Sequence, residues 1–108
     1  MLGKRLPVVD GQPTWPQNAG EYSGPCIGQV ADPNLPTVFF LKPNARDADA
    51  PRIARVVHHC CSPPHTFKEE PDGSLTIYPS LSDRHGELPD SQSDGWHGYL
   101  EKGVWRKV

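Results

Sequence analysis

The densest cluster of chemically reactive side chains lies at residues 58–65, where the sequence reads His-His-Cys-Cys-Ser-Pro-Pro-His. Imidazole nitrogens and thiolates are the donors that zinc prefers, usually about four of them in a tetrahedron. Neighbouring side chains on an extended strand point to opposite faces, so adjacent donors cannot all reach one ion. Cys60, His65 and His97 form the best candidate set. The sequence therefore predicts no required cofactor and keeps a zinc site at these three residues as a candidate.

The same residue types could also form a nucleophilic site, because a nearby imidazole lowers the pKa of a thiol. Cys60 or Cys61 would then be the nucleophile, with His65 or His97 as the base. The sequence contains no nucleophile elbow, no His-Glu-x-x-His motif and no phosphate-binding glycine loop. Buried cysteines and strand histidines bonded to the backbone are the simpler interpretation. We expect a protein that is not an enzyme.

Length and composition restrict the class of protein that could carry these residues. The chain has 108 residues, enough for one hydrophobic core, and its 13 prolines and 10 glycines disfavour long helices. A net charge of −2, without a cluster of lysines and arginines, argues against nucleic acid as a partner. No apolar run approaches the ~20 residues of a membrane span. Three cysteines, two of them adjacent, do not form a disulfide framework, so we expect synthesis in a reducing cytoplasm.

The C-terminal two thirds of the chain show the pattern of short strands and tight turns. Phe39, Phe40 and Trp96 are the expected core aromatics. Proline and glycine clusters bound the apolar runs, and Pro71-Asp72-Gly73 is a strong turn signal. The expected strand-forming segments are 37–41, 53–59, a hairpin over 65–78, and a closing hairpin that joins 96–100 to 104–108. The sequence predicts a mainly β fold over 37–108, a small antiparallel sheet or sandwich built from hairpins.

Residues 1–36 contain six prolines, which fix φ and favour extended backbone, so we expect a proline-rich arm. The arm is too apolar for a flexible linker, and something must cover its side chains. Trp15 is the expected anchor, because large aromatic side chains dominate protein interfaces. The candidate partner-binding residues are Leu6, Val8, Val9, Trp15 and Tyr22.

Three segments of the C-terminal half carry a resemblance to a known group of proteins. They are Ser-Pro-Pro-His-Thr-Phe at 62–67, Asp-Gly-Ser-Leu-Thr-Ile-Tyr-Pro-Ser-Leu at 72–81, and Gly-Trp-His-Gly-Tyr-Leu-Glu-Lys-Gly-Val-Trp at 95–105. Together they resemble a small β-rich family of uncharacterised phage and bacterial proteins, over residues 58–108. The resemblance implies a compact β fold, a zinc site as one of its supports, and a phage origin.

The leading hypothesis is a virion-associated phage structural protein, either a capsid decoration (cement) subunit or a tail accessory subunit. Its partners would be capsid or tail subunits or further copies of itself in an oligomeric assembly, and it would reside in the virion after synthesis in the host cytoplasm. Two alternatives stay open. One is a small zinc- or thiol-dependent hydrolase, and the other is a phage-encoded inhibitor that binds a host protein through the acidic loop at 83–94.

Overall fold

The structure, a computed structural model, describes residues 1–28, 34–44, 53–57, 65–82 and 96–107. All the regular secondary structure in these ranges is β, so the predicted mainly β fold is confirmed. The strands are β1 (Lys4–Leu6), β2 (Val8–Val9), β3 (Gln12–Pro13), β4 (Glu21–Cys26), β5 (Thr37–Phe40), β6 (Ala54–Val57), β7 (Thr66–Glu69), β8 (Leu75–Ser82), β9 (His97–Glu101) and β10 (Val104–Lys107). None of the described residues belongs to a helix that is long and apolar enough to cross a membrane.

Two four-stranded sheets enclose the hydrophobic core. The first sheet has the order β1-β4-β5-β6 and the second has the order β10-β9-β8-β7, while β2 and β3 form a separate two-stranded hairpin. Side chains alternate along each strand, so every second residue points between the sheets. The core residues from the two sheets are Tyr22, Val38, Phe40, Ala54, Val56, Leu75, Ile77, Leu81, Leu100 and Trp105, together with Trp96, which immediately precedes β9. One core therefore joins both sheets.

The two predicted hairpins are confirmed, and each has a local cause. In the turn between β7 and β8, the Asp72 carboxylate accepts hydrogen bonds from the backbone amide of Ser74 at 2.9 Å and from its hydroxyl at 2.6 Å. Such a bond to the backbone two residues on is the usual reason for aspartate in turns. Between β9 and β10, Lys102 and Gly103 both have positive φ, at 51° and 75°. That backbone matches the twist of a two-residue hairpin.

The predicted extended arm is wrong for the described part of residues 1–36. β1 pairs in parallel with β4, and β4 pairs antiparallel with β5, so the N-terminal segment belongs to the first sheet. Leu2 also forms a bridge with Val104 at the edge of the second sheet. Of the apolar side chains attributed to the arm, Tyr22 is covered by the chain's own core, whereas Val8, Val9 and Trp15 remain exposed. Pro7 and Pro16 lie between strands, where their missing amide donors cost no ladder bond.

The N-terminal segment also supplies a third layer. Residues 7–16, here called the flap, contain the β2–β3 hairpin and cross the face of the first sheet that points away from the second. Trp15 packs edge-on against Phe39 with ring centroids 4.8 Å apart, and the backbone amide of Thr14 donates to the hydroxyl of Ser23 at 3.1 Å. Pro16 is fully buried. All four residues of β5 are therefore buried, on both faces of the sheet.

A buried carboxylate fixes the turn that enters β4. Glu21 accepts hydrogen bonds from the backbone amides of Gln17 and Asn18, each at 2.8 Å. Burial alone would raise the pKa of Glu21, but these hydrogen bonds outweigh it and hold the pKa below its ordinary value of 4.5. The same turn presents the Gly20 carbonyl to the indole N–H of Trp105 at 2.8 Å. The turn thereby links the first sheet to a core residue of the second.

We expect Phe40→Ala to lower the free energy of unfolding by about 3–5 kcal/mol, because it empties a fully buried site between the sheets. The Phe40 ring lies 5.4 Å from that of Trp105 and 6.3 Å from that of Trp96. Denaturant titration followed by tryptophan fluorescence measures the change. Val9→Ala, at an exposed position, is the control and should stay within about 0.5 kcal/mol. A loss below about 1 kcal/mol for Phe40→Ala would contradict a single core shared by both sheets.

Glu21→Gln should lower the free energy of unfolding at pH 7 by about 1–3 kcal/mol, because the partly buried amides of Gln17 and Asn18 exchange a charged acceptor for a neutral one. As the pH falls through 4.5, Glu21 becomes protonated in the unfolded chain while it stays ionised in the folded protein. Acid therefore removes the stabilisation that the ionised Glu21 provides. The wild-type protein should lose stability more steeply than Glu21→Gln as the pH falls from about 5 to 3. Equal slopes in denaturant titrations across that range would show that Glu21 is not the group responsible.

Candidate functional site

The flap is the main exposed apolar surface among the residues predicted to bind a partner. Val8, Val9 and Trp15 are 39%, 57% and 49% exposed. The hairpin that presents them turns at Asp10 and Gly11, whose φ angles are 52° and 76°. Aspartate followed by glycine is the preferred sequence for such a turn, so the local sequence fixes this geometry. The exposed valines are held on a short, well-defined hairpin.

A groove runs beside the flap, between the first sheet and the turn of the β7–β8 hairpin. Its volume is about 460 Å³. Most of its side chains are apolar, which suits a partner's aliphatic or aromatic side chain. The lining residues are Arg5, Leu6, Pro7, Val8, Pro25 and Gly73. Leu6 and Val8 therefore belong both to the groove and to the predicted partner-binding set.

Arg5 holds the two walls of this groove together. Its guanidinium donates to both carboxylate oxygens of Glu69 on β7, to the Gly73 carbonyl at 3.0 Å and to the Gly24 carbonyl at 2.8 Å. The hydrogen bond with Glu69 raises the pKa of Arg5 and lowers the pKa of Glu69, so the pair is ionised at neutral pH. The planar guanidinium group carries several N–H donors in a fixed arrangement, so it can make all these bonds at once. The first sheet is thereby tied to the second at the groove.

Tyr22 does not belong to this surface, so its predicted role in partner binding is wrong. Its side chain is 1% exposed and points into the core. It packs edge-on against Trp105 with ring centroids 6.3 Å apart. Tyr22 is paired across the strands with Phe40, and such pairs share a face of the sheet. Tyr22 is buried because it lies on β4, inside the first sheet, and not on an extended arm.

Two of the three candidate zinc ligands meet at one residue. The Nε2 atom of His65 lies 2.9 Å from the backbone carbonyl oxygen of Ser80, and the Nε2 atom of His97 lies 2.6 Å from the Ser80 hydroxyl. A carbonyl oxygen only accepts, so Nε2 of His65 carries the proton. Cys60, the third candidate, lies outside the described residues, as do Cys61 and the loop at 83–94.

The two histidines approach Ser80 from opposite faces of the second sheet. His65 is 4% exposed and lies on the same side as Phe67, which packs against the core. His97 is exposed and alternates with the buried Trp96 and Gly98, so its ring lies on the outer face. Within the described ranges, no group of three histidine, cysteine or acidic residues is placed to hold a metal ion. The imidazoles of His65 and His97 therefore lie on opposite faces of the second sheet and do not form one site.

The remaining reactive groups do not form a catalytic set in the described part of the chain. No described carboxylate hydrogen-bonds to His97, so the Ser80–His97 pair lacks the third group that orients a catalytic imidazole. Cys26 is buried beside the Thr37 carbonyl, its sulfur 3.7 Å from the oxygen. Burial raises the pKa of the Cys26 thiol, which disfavours the reactive thiolate.

The sequence did not single out the exposed residues of the second sheet as a site. Tyr78 and Tyr99 are 68% and 38% exposed, and they lie on the outer face with Ser80 and His97. We call these four residues the tyrosine face. Strand periodicity could have indicated it, since Tyr78 alternates with Ile77 and Tyr99 with Leu100, both of which are core residues.

Comparisons with protein-family models, with curated protein sequences and with solved structures found no match to this chain.

Arg5→Lys should lower the free energy of unfolding by about 1–2 kcal/mol, because an ammonium cannot reach Glu69 and both carbonyls together. Lys4→Ala, at the neighbouring exposed position on β1, is the matched control and should change it by less than about 0.5 kcal/mol. Chemical denaturation at neutral pH provides both values. If Arg5→Lys were as stable as the wild-type protein, Arg5 would contribute charge alone and would not join the walls of the groove.

Proposed function

We propose that this protein is a non-enzymatic subunit of a larger protein assembly, docked on its neighbours through the flap and the adjoining groove. The single observation that supports this most is that Val8, Val9 and Trp15 stay exposed on the folded flap, beside a largely apolar groove that Val8 also lines. Four of the five residues expected to contact a partner, Leu6, Val8, Val9 and Trp15, belong to this surface.

The flap suits docking because it is already ordered. Binding by a disordered segment has to offset the entropy lost when that segment is fixed. Here Trp15 already rests on Phe39, and Thr14 is bonded to Ser23. The exposed part of Trp15 and the two valines can therefore bury apolar area at little ordering cost. A neighbouring protein with an apolar side chain that enters the groove is the matching partner.

The charge of the surface also favours a protein partner. Arg5 is the charged group of the groove, and Glu69 neutralises it. A site with a neutral, largely apolar lining gains affinity from buried area and shape more than from ion pairing. Such a site is suited to a fixed neighbour in an assembly.

The resemblance of residues 58–108 to phage and bacterial proteins supports a more specific proposal. The assembly is a phage particle, and the chain is a capsid decoration subunit or a tail accessory subunit bound to capsid or tail proteins. The fold agrees with this use, since a small sandwich with a preformed apolar edge can add to an existing particle without refolding.

Val9→Asp and Trp15→Ala should each weaken binding to the particle at least about tenfold, because each removes exposed apolar area that docking would bury. The measurement is co-sedimentation of purified protein with particles that lack this chain, followed by mass spectrometry of the pelleted particles. Tyr78→Ala is the matched control, since it removes an exposed aromatic ring from the other side of the sandwich.

The expected pattern is wild-type binding for Tyr78→Ala and loss for the two flap variants. Val9→Asp and Tyr78→Ala should melt near the wild-type temperature. Trp15→Ala uncovers Phe39 and should melt lower, so its binding is measured well below its melting temperature. Equal binding by all variants would refute docking through the flap. Absence of the wild-type chain from intact particles would refute the virion proposal. Docking through the flap would still be supported if the wild-type chain bound another protein and the two flap variants did not.

A further inference from the structure

The tyrosine face is a second exposed surface, on the far side of the core from the flap. Tyr78 on β8 and Tyr99 on β9 each stand next to the core pair Ile77 and Leu100, and point the other way. At 68% exposed, Tyr78 is one of the most solvent-accessible large side chains in the described part of the chain. A ligand can stack on aromatic rings that are exposed to solvent on the outer face of a sheet.

The two rings lie on neighbouring strands in the middle of the second sheet. Thr66 on β7 is the cross-strand partner of Tyr78, and Arg106 on β10 is the cross-strand partner of Tyr99. Neighbouring strands are about 5 Å apart, so the face has two ring surfaces flanked by Thr66 and Arg106. Two successive units of a short linear oligomer fit it better than a single compact molecule.

Hydrogen-bonding groups lie beside the rings. The Ser80 hydroxyl and Nε2 of His97 are 2.6 Å apart, and both are groups that can donate as well as accept. The Thr66 hydroxyl donates to the Tyr78 carbonyl at 3.4 Å. Within the described part of the chain, neither phenol hydroxyl of the two tyrosines is hydrogen-bonded to protein. The face therefore combines apolar ring surfaces with several adaptable polar groups.

The charges on this face are few and of both signs, which favours an uncharged ligand. Arg106, the cross-strand partner of Tyr99, faces Glu101 with Nε and Oε1 4.0 Å apart, so this cation has a counter-charge. Lys68 is also exposed and lies two residues from Thr66 on β7. The whole chain carries a net charge of −2. Binding to single-stranded nucleic acid combines aromatic stacking with a positively charged groove that follows the phosphates. Here the stacking surfaces are present, but the described residues around them do not form such a groove.

We propose that the tyrosine face binds an uncharged oligosaccharide. Sugar rings have C–H groups on one face, which pack on the electron-rich face of a phenol ring, and hydroxyls at their edges, which pair with Ser80 and His97. Tyr78 and Tyr99 would each stack on one sugar unit of the chain. The inference stands apart from docking through the flap, because the two surfaces share no residue.

The experiment begins with the wild-type chain on a printed array of neutral hexose and N-acetylhexosamine oligosaccharides. Acidic oligosaccharides and a single-stranded oligothymidine are included as probes of charge. The best neutral ligand is then titrated by isothermal calorimetry. Tyr78→Ala and Tyr99→Ala should each weaken its binding about tenfold, since each loses one stacked ring. Tyr78→Phe keeps the ring and should bind within about threefold of wild type.

Trp15→Ala is the matched control, because it removes an exposed aromatic ring from the flap and leaves the tyrosine face intact. It should bind the oligosaccharide like the wild-type protein. Thermal melting of every variant tests that it is folded at the temperature of the titration. The proposal is overturned if no neutral glycan on the array is bound, if oligothymidine is bound in preference to all of them, or if Trp15→Ala loses as much affinity as Tyr78→Ala.

Discussion

Burial of the first sheet on both faces is the constraint on which the rest of the structure depends. β5 has no exposed residue, and its neighbour β4 is buried along almost its whole length. A sheet in this position needs a cover on each side. The second sheet covers one face, and Trp15 and Pro16 of the flap cover the other. The proline-rich N-terminal segment is thus a layer of the fold, and two of its prolines, Pro7 and Pro16, lie in connections between strands.

The same constraint makes the flap, proposed above as a docking surface, a firm part of the fold. Its inner side is occupied by Phe39 and Ser23, so its outer side cannot move far without exposing the first sheet. Arg5 adds a second tie, from β1 to the β7–β8 hairpin. Surfaces that are fixed in the free protein lose little entropy on binding. Covering the first sheet and presenting an apolar edge are therefore two consequences of one packing arrangement.

Local signals in the sequence predicted the parts of the fold that local physics decides. Asp72 predicted its hairpin because turn geometry depends on the residues of the turn itself. The pairing of β1 with β4 and the stacking of Trp15 on Phe39 depend on contacts between separate segments, which no short window contains. Without the β1–β4 pairing, residues 1–36 have the pattern of an arm, and that interpretation placed Tyr22 on a partner surface. Periodicity also gives two faces for a strand without saying which is inward, and this ambiguity left Tyr78 unnoticed. Periodicity also does not show on which face of the second sheet His97 lies, because it does not identify the inward face.

The flap and the tyrosine face should behave as independent sites. They lie on opposite sides of a core that is two sheets thick, and sheets packed face to face are about 10 Å apart. Sites at that separation, without shared partners, respond additively to substitution. The tyrosine face is held by the hydrogen-bonded ladder of β7 to β10, whereas the flap is held by side-chain packing on Phe39. A change that loosens the flap therefore has no direct route to Tyr78, and the ligands proposed for the two surfaces would not compete with each other.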